Sequence, residues 1–380
     1  MLEAGYGQAD ITPAIGTPLS GFIAREGKPS NRVDSRLYVR ALALRQDGEI
    51  FLLLSYELLG LPAAQQARVL ALLEEKLGSG FSPERCFLTA VHTHSGPPLG
   101  LLVGEPDPDP AYLRRLADQT LLASRQAVTA LRPAVLYSAE CRLPGMTYNR
   151  RALLPNGRVS IAPVPDLPVV RRGPLDDRLT VLVWCDLEGR GLAGVVHYAC
   201  HGVAVLSQAI GSDIPGQLAA AVSEQVGAPC LFLQSAAGDI NPTTVTAAND
   251  DLLAWMTQAK QHLRGLKNGL RPASDGSPRQ APLRSKSRRI ALDYAPIPGV
   301  AAARRSLNDL EQIAAGDVTS PALAETIRSF KNTMNLPQDA ALDPGKARFT
   351  ALALAESARR TLAAYETGQP PAPYPLSLAA

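Results

Sequence analysis

The stretch ALALRQDGEIFLLLSY, residues 41–56, sets two apolar, strand-forming runs on either side of Asp47-Gly48. An Asp-Gly pair between such runs is a strong short-range signal for a two-residue hairpin turn. The sequence therefore predicts strands over Ala41–Arg45 and Ile50–Tyr56. Outward from them, Pro62 opens a helix with Val69, Leu70, Leu73 and Leu77 on one face, ended by Gly78. A buried strand over Cys86–Val91 follows, then a helix from about Asp109-Pro110 to Leu131.

The same order recurs later. Leu179–Cys185 and Ala193–Ala199 form a second hairpin around Glu188-Gly189, Asp213-Ile214-Pro215 introduces a helix, and Cys230–Gln234 is a strand. Glu57 and His92 stand 35 residues apart in the first unit, and His201 and Ser235 stand 34 apart in the second. The expected fold class is α/β: two pseudo-repeated hairpin–helix–strand units form packed sheets flanked by helices, with a helical C-terminal portion. In domain terms, residues 1–248 make the α/β core and 249–380 a mainly helical continuation. An amphipathic helix is expected over Phe349–Tyr365 and a Pro-rich stretch over Gln369–Pro375.

Composition narrows the class. Of the 380 residues, 46% are hydrophobic and 19% charged, as in a globular protein. A net charge of +3 argues against nucleic acid as a partner. The basic segment Arg279–Arg289 has no aromatic residue for base stacking and reads as a solvated loop. No apolar run approaches the roughly 20 residues of a transmembrane helix. The N-terminus has no signal-peptide pattern. Cys86, Cys141, Cys185, Cys200 and Cys230 show no CxxC spacing and read as reduced thiols. Together these features predict a cytoplasmic protein.

Four of the five histidines lie in two segments at apolar strand ends, His92-Thr93-His94 and His197-Tyr198-Ala199-Cys200-His201. Imidazole is both a common zinc ligand and the usual proton-transfer group near neutral pH. In an extended segment His92 and His94 share a side; one suffices as a ligand while the other acts on substrate. Ser95-Gly96-Pro97 then makes a backbone-rich loop. His201, at a strand end before Gly202, is the better ligand of its pair, and His197 reads as a core residue. Glu57 either orients a histidine or caps the following helix. Asp239 and Asn241, in the loop Gly238-Asp239-Ile240-Asn241-Pro242, offer polar groups beside a small-residue turn, and Arg150 can bind a carboxylate or polarise a carbonyl.

Taken together, Gly5–Phe22 (GYGQADITPAIGTPLSGF), Asp34–Leu42, Ser55–Gly60, Ala90–Pro97 (AVHTHSGP), Asn149-Arg150, Asp176–Leu182, Val196–Gly202 and Phe232–Pro242 (FLQSAAGDINP) resemble the catalytic domain of the neutral/alkaline, non-lysosomal ceramidase family. That resemblance implies a zinc amidase acting on an N-acyl bond. It implies His92 and His201 as zinc ligands, His94 as a hydrogen-bonding group near the reacting carbonyl, and Arg150 as a substrate contact. The expected partner is a small-molecule or lipid-like N-acyl substrate. Ser95, Gly96, Glu57 and Asp239 fall in substrate-binding or supporting positions.

The chain also departs from the family pattern. Family members carry GDVSP where this chain has GDINP, which puts Asn241 in place of a loop serine and implies a different substrate or mechanistic detail. The glutamate of a PGE-type motif and a tyrosine, which supply the family's remaining zinc ligands, have no counterpart here, so the chain is expected to end before that part of the domain. The secretion signal and C-terminal immunoglobulin-like domain of the large ceramidases are likewise not expected in this chain. Two alternatives stand beside a metal-dependent amide or ester hydrolase. One is a catalytically impaired ligand-binding homologue; the other is a fragment whose partner chain completes the site.

Overall fold

The Asp47-Gly48 turn forms with both residues at positive φ, 53° and 84°, as a type I′ hairpin turn requires. This computed structural model describes residues 2–273 except 23–24, 79, 103–104, 156, 158, 162–167 and 245–248. The expectations for Arg279–Arg289, Phe349–Tyr365 and Gln369–Pro375 therefore lie outside the described residues.

Around the hairpin lies a mixed sheet. Its main strands are β1 (Glu3–Asp10), β2 (Tyr38–Gln46), β3 (Glu49–Tyr56) and β4 (Phe81–Ala90), in the order β4-β3-β2-β1, with Arg132–Pro133 at the far edge. Helix α1 (Ala63–Leu77) carries the chain from β3 to β4, which are parallel. Alternation along the strands sorts side chains between two cores. Val39, Ala41, Ala43, Leu52, Leu54 and Tyr56 face α1 and α2 (Pro110–Thr129), whereas Leu42, Leu44 and Leu53 face a second sheet. The Asp109 side chain caps α2 by accepting from Ala111 N at 2.8 Å.

Strand β1 was not evident in the sequence, and its glycines show why. A Cβ on Gly5 would sit 2.2 Å from the Ala127 carbonyl oxygen, and one on Gly7 would sit 2.1 Å from that of Ala123. Helix α2 packs directly on the strand backbone there, and only glycine permits that approach.

The second sheet holds β5 (Val135–Arg142), β7 (Arg178–Cys185), β8 (Gly191–Tyr198) and β9 (Cys230–Gln234), in the order β9-β8-β7-β5, with Arg271–Pro272 at the edge. Helix α3 (Asp213–Val226) lies between β8 and β9 in the chain, and those strands are parallel. Its Ile214, Leu218 and Val222 share a core with Trp255, Met256 and Ala259 of α4 (Asn249–His262). Short strands β6 (Thr147–Asn149) and β10 (Ile240–Pro242) pair antiparallel beside this sheet.

The inner faces meet through Ala4, Leu42, Trp184, Ala193, Val195 and Leu231. Each large aliphatic side chain fully buried in these layers contributes about 1.5–3 kcal/mol. Ser55 Oγ on β3 donates to the Phe232 carbonyl on β9 at 2.5 Å, which ties one sheet to the other. The result is two packed sheets with helices outside, as expected for the class. The internal duplication stays a proposal. All five cysteines are free thiols. No described helix is long and apolar enough to cross a membrane.

Candidate metal centre

His92 lies just beyond β4, in a tightly constrained turn. Its backbone N–H donates to Leu58 O at 3.0 Å, and its φ is 67°. A non-glycine residue in that region costs of order 1–3 kcal/mol and persists only where its surroundings enforce it. The histidine segment is therefore bent at its first residue, not extended. His94 is fixed by its N–H to Gly202 O at 2.9 Å, and His201 by its N–H to Ile240 O at 2.9 Å. An isolated bridge between Thr93 and Gly202 holds the two segments side by side.

The three rings converge. Centroids are 4.5 Å apart for His92 and His201, and 5.0 Å apart for His94 with either neighbour. One ligand atom from each lies within 4.8 Å of the others.

Every Nδ1 is already engaged by a backbone carbonyl: His92 with Leu59 O at 2.8 Å, His94 with Gly21 O at 3.0 Å, and His201 with Ala237 O at 3.0 Å. A carbonyl only accepts, so this network assigns the proton to each Nδ1 and leaves each Nε2 with a bare lone pair. The Nε2 atoms of His94 and His201 face one another at 3.1 Å. Two lone pairs at that distance repel unless a cation lies between them. Imidazole–zinc bonds of about 2.0–2.1 Å span nitrogen pairs of about this separation, so the donor set fits a metal ion.

Electrostatics favour the neutral rings that ligation requires. Burial, then the neighbouring His201 and His92, pulls His94 down to about 2. Burial, with His92 and Arg150 adding to it, pulls His201 to about 4. His92 is lowered by burial and by Arg150.

The other expected site residues divide. Arg150 sits at the rim, its guanidinium donating to Gly238 O at 2.8 Å, and its charge reaches both His92 and His201. Asp239 accepts from Asn149 Nδ2 at 3.1 Å and pairs with Arg151 at 3.4 Å. Asn241 is buried beside Tyr148, its cross-strand neighbour. Burial raises the Tyr148 phenol and the adjacent Asn241 side chain opposes that pull, but neither Asn241 Oδ1 nor the Tyr148 hydroxyl makes a hydrogen bond of good geometry among the described residues. Ser95 is wholly buried and serves the loop framework: its Oγ donates to Val205 O at 3.2 Å and accepts from Arg25 at 3.1 Å. Gly96 accepts from Ser20 N at 2.8 Å in the same framework.

Glu57 does neither thing the sequence allowed. Its carboxylate accepts from Tyr38 N at 2.9 Å and from Arg40 at 2.9 and 3.2 Å, not from a histidine. Helix α1 has Pro62 at its N-cap and no side-chain capping bond. A buried carboxylate takes the strongest donors within reach, and the guanidinium on β2 is the nearer. His197 is half-buried on β8 and stays outside the histidine group.

Sequence reasoning missed the supports. Arg25 is buried and ties three loops together through Ser20 O at 3.2 Å, Val205 O at 3.0 Å, Ser207 O at 3.1 Å and the His94 carbonyl. Burial lowers it to about 10, opposed by the charge of Asp213. The Asp213 carboxylate in turn accepts from the backbone of Val205 at 3.0 Å and of Ile214 at 2.6 Å. Arg25 carries no motif, and Asp213 is legible only as the opening of α3. Gln234 lay inside a quoted one, yet its strand-end position gave no role.

No family model matches the chain. In sequence it is 29% identical over 268 residues to the neutral ceramidase of Mycobacterium tuberculosis (strain ATCC 25618 / H37Rv), covering 64% of this chain and 40% of that protein. In fold it is similar to the crystal structure of neutral ceramidase from Pseudomonas aeruginosa, with a TM-score of 0.58 and 20% identity over 70% of this chain and 45% of that one. A structure described as ceramidase complexed with C2 gives the same TM-score at 19% identity, over 70% of this chain and 44% of that one. The chain is thus ceramidase-like in sequence and in fold, over less than half the length of the relatives it matches.

Proposed function

We propose that the chain is a metal-dependent hydrolase that cleaves an N-acyl amide or ester bond, with His92, His94 and His201 as protein ligands of one zinc ion. The observation that carries this reading is the convergence of three histidine rings, His94 and His201 facing Nε2 to Nε2, while every Nδ1 is engaged by a carbonyl. A zinc ion supplies Lewis acidity toward an acyl carbonyl and a water of lowered pKa.

The protein's own groups do the rest. The three carbonyls fix ring orientation, as outer partners of metal-bound histidines do. Arg150, at the rim, is the cation placed to stabilise charge developing on the acyl oxygen. With its proton on Nδ1, His94 offers an acceptor at Nε2. That supports ligation over the role the family resemblance implied, a hydrogen-bonding group near the reacting carbonyl. Asn241 and Tyr148, buried side by side without a well-formed hydrogen bond, are the groups left to meet a polar part of the substrate.

The likeness to neutral ceramidases supports a lipid-like N-acyl substrate. The second reading, a ligand-binding homologue without turnover, draws on Asn241 occupying the place of the family's loop serine. Metal analysis of the purified protein, paired with hydrolysis of a fluorogenic N-acyl substrate, tests the proposal. About one zinc per chain, lost with activity in His92→Ala and His201→Ala, is the expected result. A folded protein that holds no metal overturns it, and stoichiometric zinc without turnover leaves the ligand-binding reading standing in its place.

A further inference from the structure

We infer that Gln234 is a positioning residue whose side-chain amide sets the spacing between the two histidine-bearing segments. Its Nε2 donates to Val91 O at 2.8 Å and to Cys200 O at 2.8 Å, and its Oε1 accepts from Cys200 N at 3.2 Å. Val91 immediately precedes His92, and Cys200 immediately precedes His201. One amide therefore grips both segments one residue before each ligand.

The grip falls where the sheets no longer supply one. The β3–β4 pairing ends at Tyr56 with Ala90, and the β8–β9 pairing ends at Tyr198 with Gln234 itself. Val91 and Cys200 lie beyond those last rungs, just past strands that belong to different sheets. The packing between the sheets is mostly apolar and non-directional. The bond from Ser55 Oγ to Phe232 O lies within the sheets, and the one from His94 N–H to Gly202 O lies past both ligands, so neither acts on the residues just before His92 and His201. The fully engaged amide does, and both its N–H bonds and its carbonyl have fixed directions. Gln234 also sits on the scaffold strand β9, which gives the clasp a rigid base.

The inference takes its purpose from the metal centre proposed above, but its geometry stands without it. If the amide only satisfied loose backbone groups, its loss would lower global stability and leave metal affinity alone. If it sets the spacing, affinity falls in a protein that still folds. Loss of a group that orients metal ligands costs roughly 10–100-fold in metal affinity.

The test compares the full chain with Gln234→Met, which keeps length and volume but removes all three hydrogen bonds. Thermal unfolding, competitive zinc binding and the visible spectrum of the cobalt-loaded protein are measured on both. The expected result is a folded variant with zinc affinity lowered at least about tenfold and an altered cobalt spectrum. Unchanged affinity and spectrum in the folded variant overturn the inference. Should Gln234→Met fail to fold, Gln234→Glu, which keeps the acceptor for Cys200 N–H, carries the same comparison. If the parent chain takes up no metal, the metal-centre reading fails on its own. The clasp is then judged on metal-free protein, where unmoved imidazole 15N signals of His92 and His201 in the folded variant overturn it.

Discussion

His94 and His201 meet Nε2 to Nε2 at 3.1 Å, although 107 residues separate them in the chain. Gly21 O and Ala237 O hold their opposite ring nitrogens, so neither ring can turn away without losing a hydrogen bond. In the metal centre proposed above, this geometry gives His94 the place of a third ligand. In His94→Ala, zinc affinity is expected to fall by more than the roughly 10–100-fold that loss of an outer partner costs. Isothermal titration against a competing chelator measures it. A smaller loss returns His94 to the role of a substrate-facing group.

The depressed histidines also predict how the metal-free protein responds to acid. His94 falls to about 2 and His201 to about 4, mainly through burial, while unfolded histidine titrates near 6.5. Between those values the unfolded chain binds more protons than the folded one, so stability rises with pH and is lost as pH falls below about 6.5. At pH 5 each of the two rings costs of order 2 kcal/mol relative to pH 7.5. Urea unfolding of chelator-treated protein at the two pH values checks this. His201→Ala should flatten the dependence, and an equally steep one in that variant would sink the account.

Gly21 is a wall behind His94. It has φ of 94°, and a Cβ there would fall 2.5 Å from His94 Nδ1. Gly21→Ala must therefore strain the backbone and displace the ring together. The strain alone is of order 1–3 kcal/mol, and the displaced ring weakens metal binding as well. A melting curve and a zinc titration separate the two effects. Wild-type zinc affinity in Gly21→Ala would show that the ring has room to move.

Much of this scaffold was legible because local chemistry and tertiary demand agree. Asp47-Gly48 fits a turn that needs positive φ at both residues, and the apolar runs beside it fill both faces of their strands. Strand β1 was not legible. Its Gly5 and Gly7 weaken any strand signal, yet they are what the packing of α2 demands. Strand β5 was overlooked as well: its Tyr137 and Cys141 pack against a core that includes residues of α4 from more than a hundred positions away. The histidines announced themselves by clustering, but their meeting depends on two sheets packing face to face. Arg25, Asp213 and Gln234 act through backbone carbonyls and amides of distant loops, a kind of contact that leaves no spacing or periodicity behind.

Glu57 anchors the fold beneath the site through Arg40 and Tyr38. It is buried at the end of β3, and its only strong cationic partner among the described residues is Arg40, whose side chain is itself largely buried. Removing one member of such a pair leaves an uncompensated buried charge, at a cost of about 3–5 kcal/mol. Glu57→Gln keeps the shape and an acceptor for Tyr38 N–H but strands the Arg40 guanidinium. The double variant Glu57→Gln with Arg40→Met removes both charges and should recover much of the loss. Chemical unfolding of the parent, Glu57→Gln, Arg40→Met and the double variant forms a double-mutant cycle, and simple additivity would show that the pair does not act as a unit. Zinc affinity is expected to stay near the parent value in any variant that folds, because Glu57 bonds to β2 and not to a histidine.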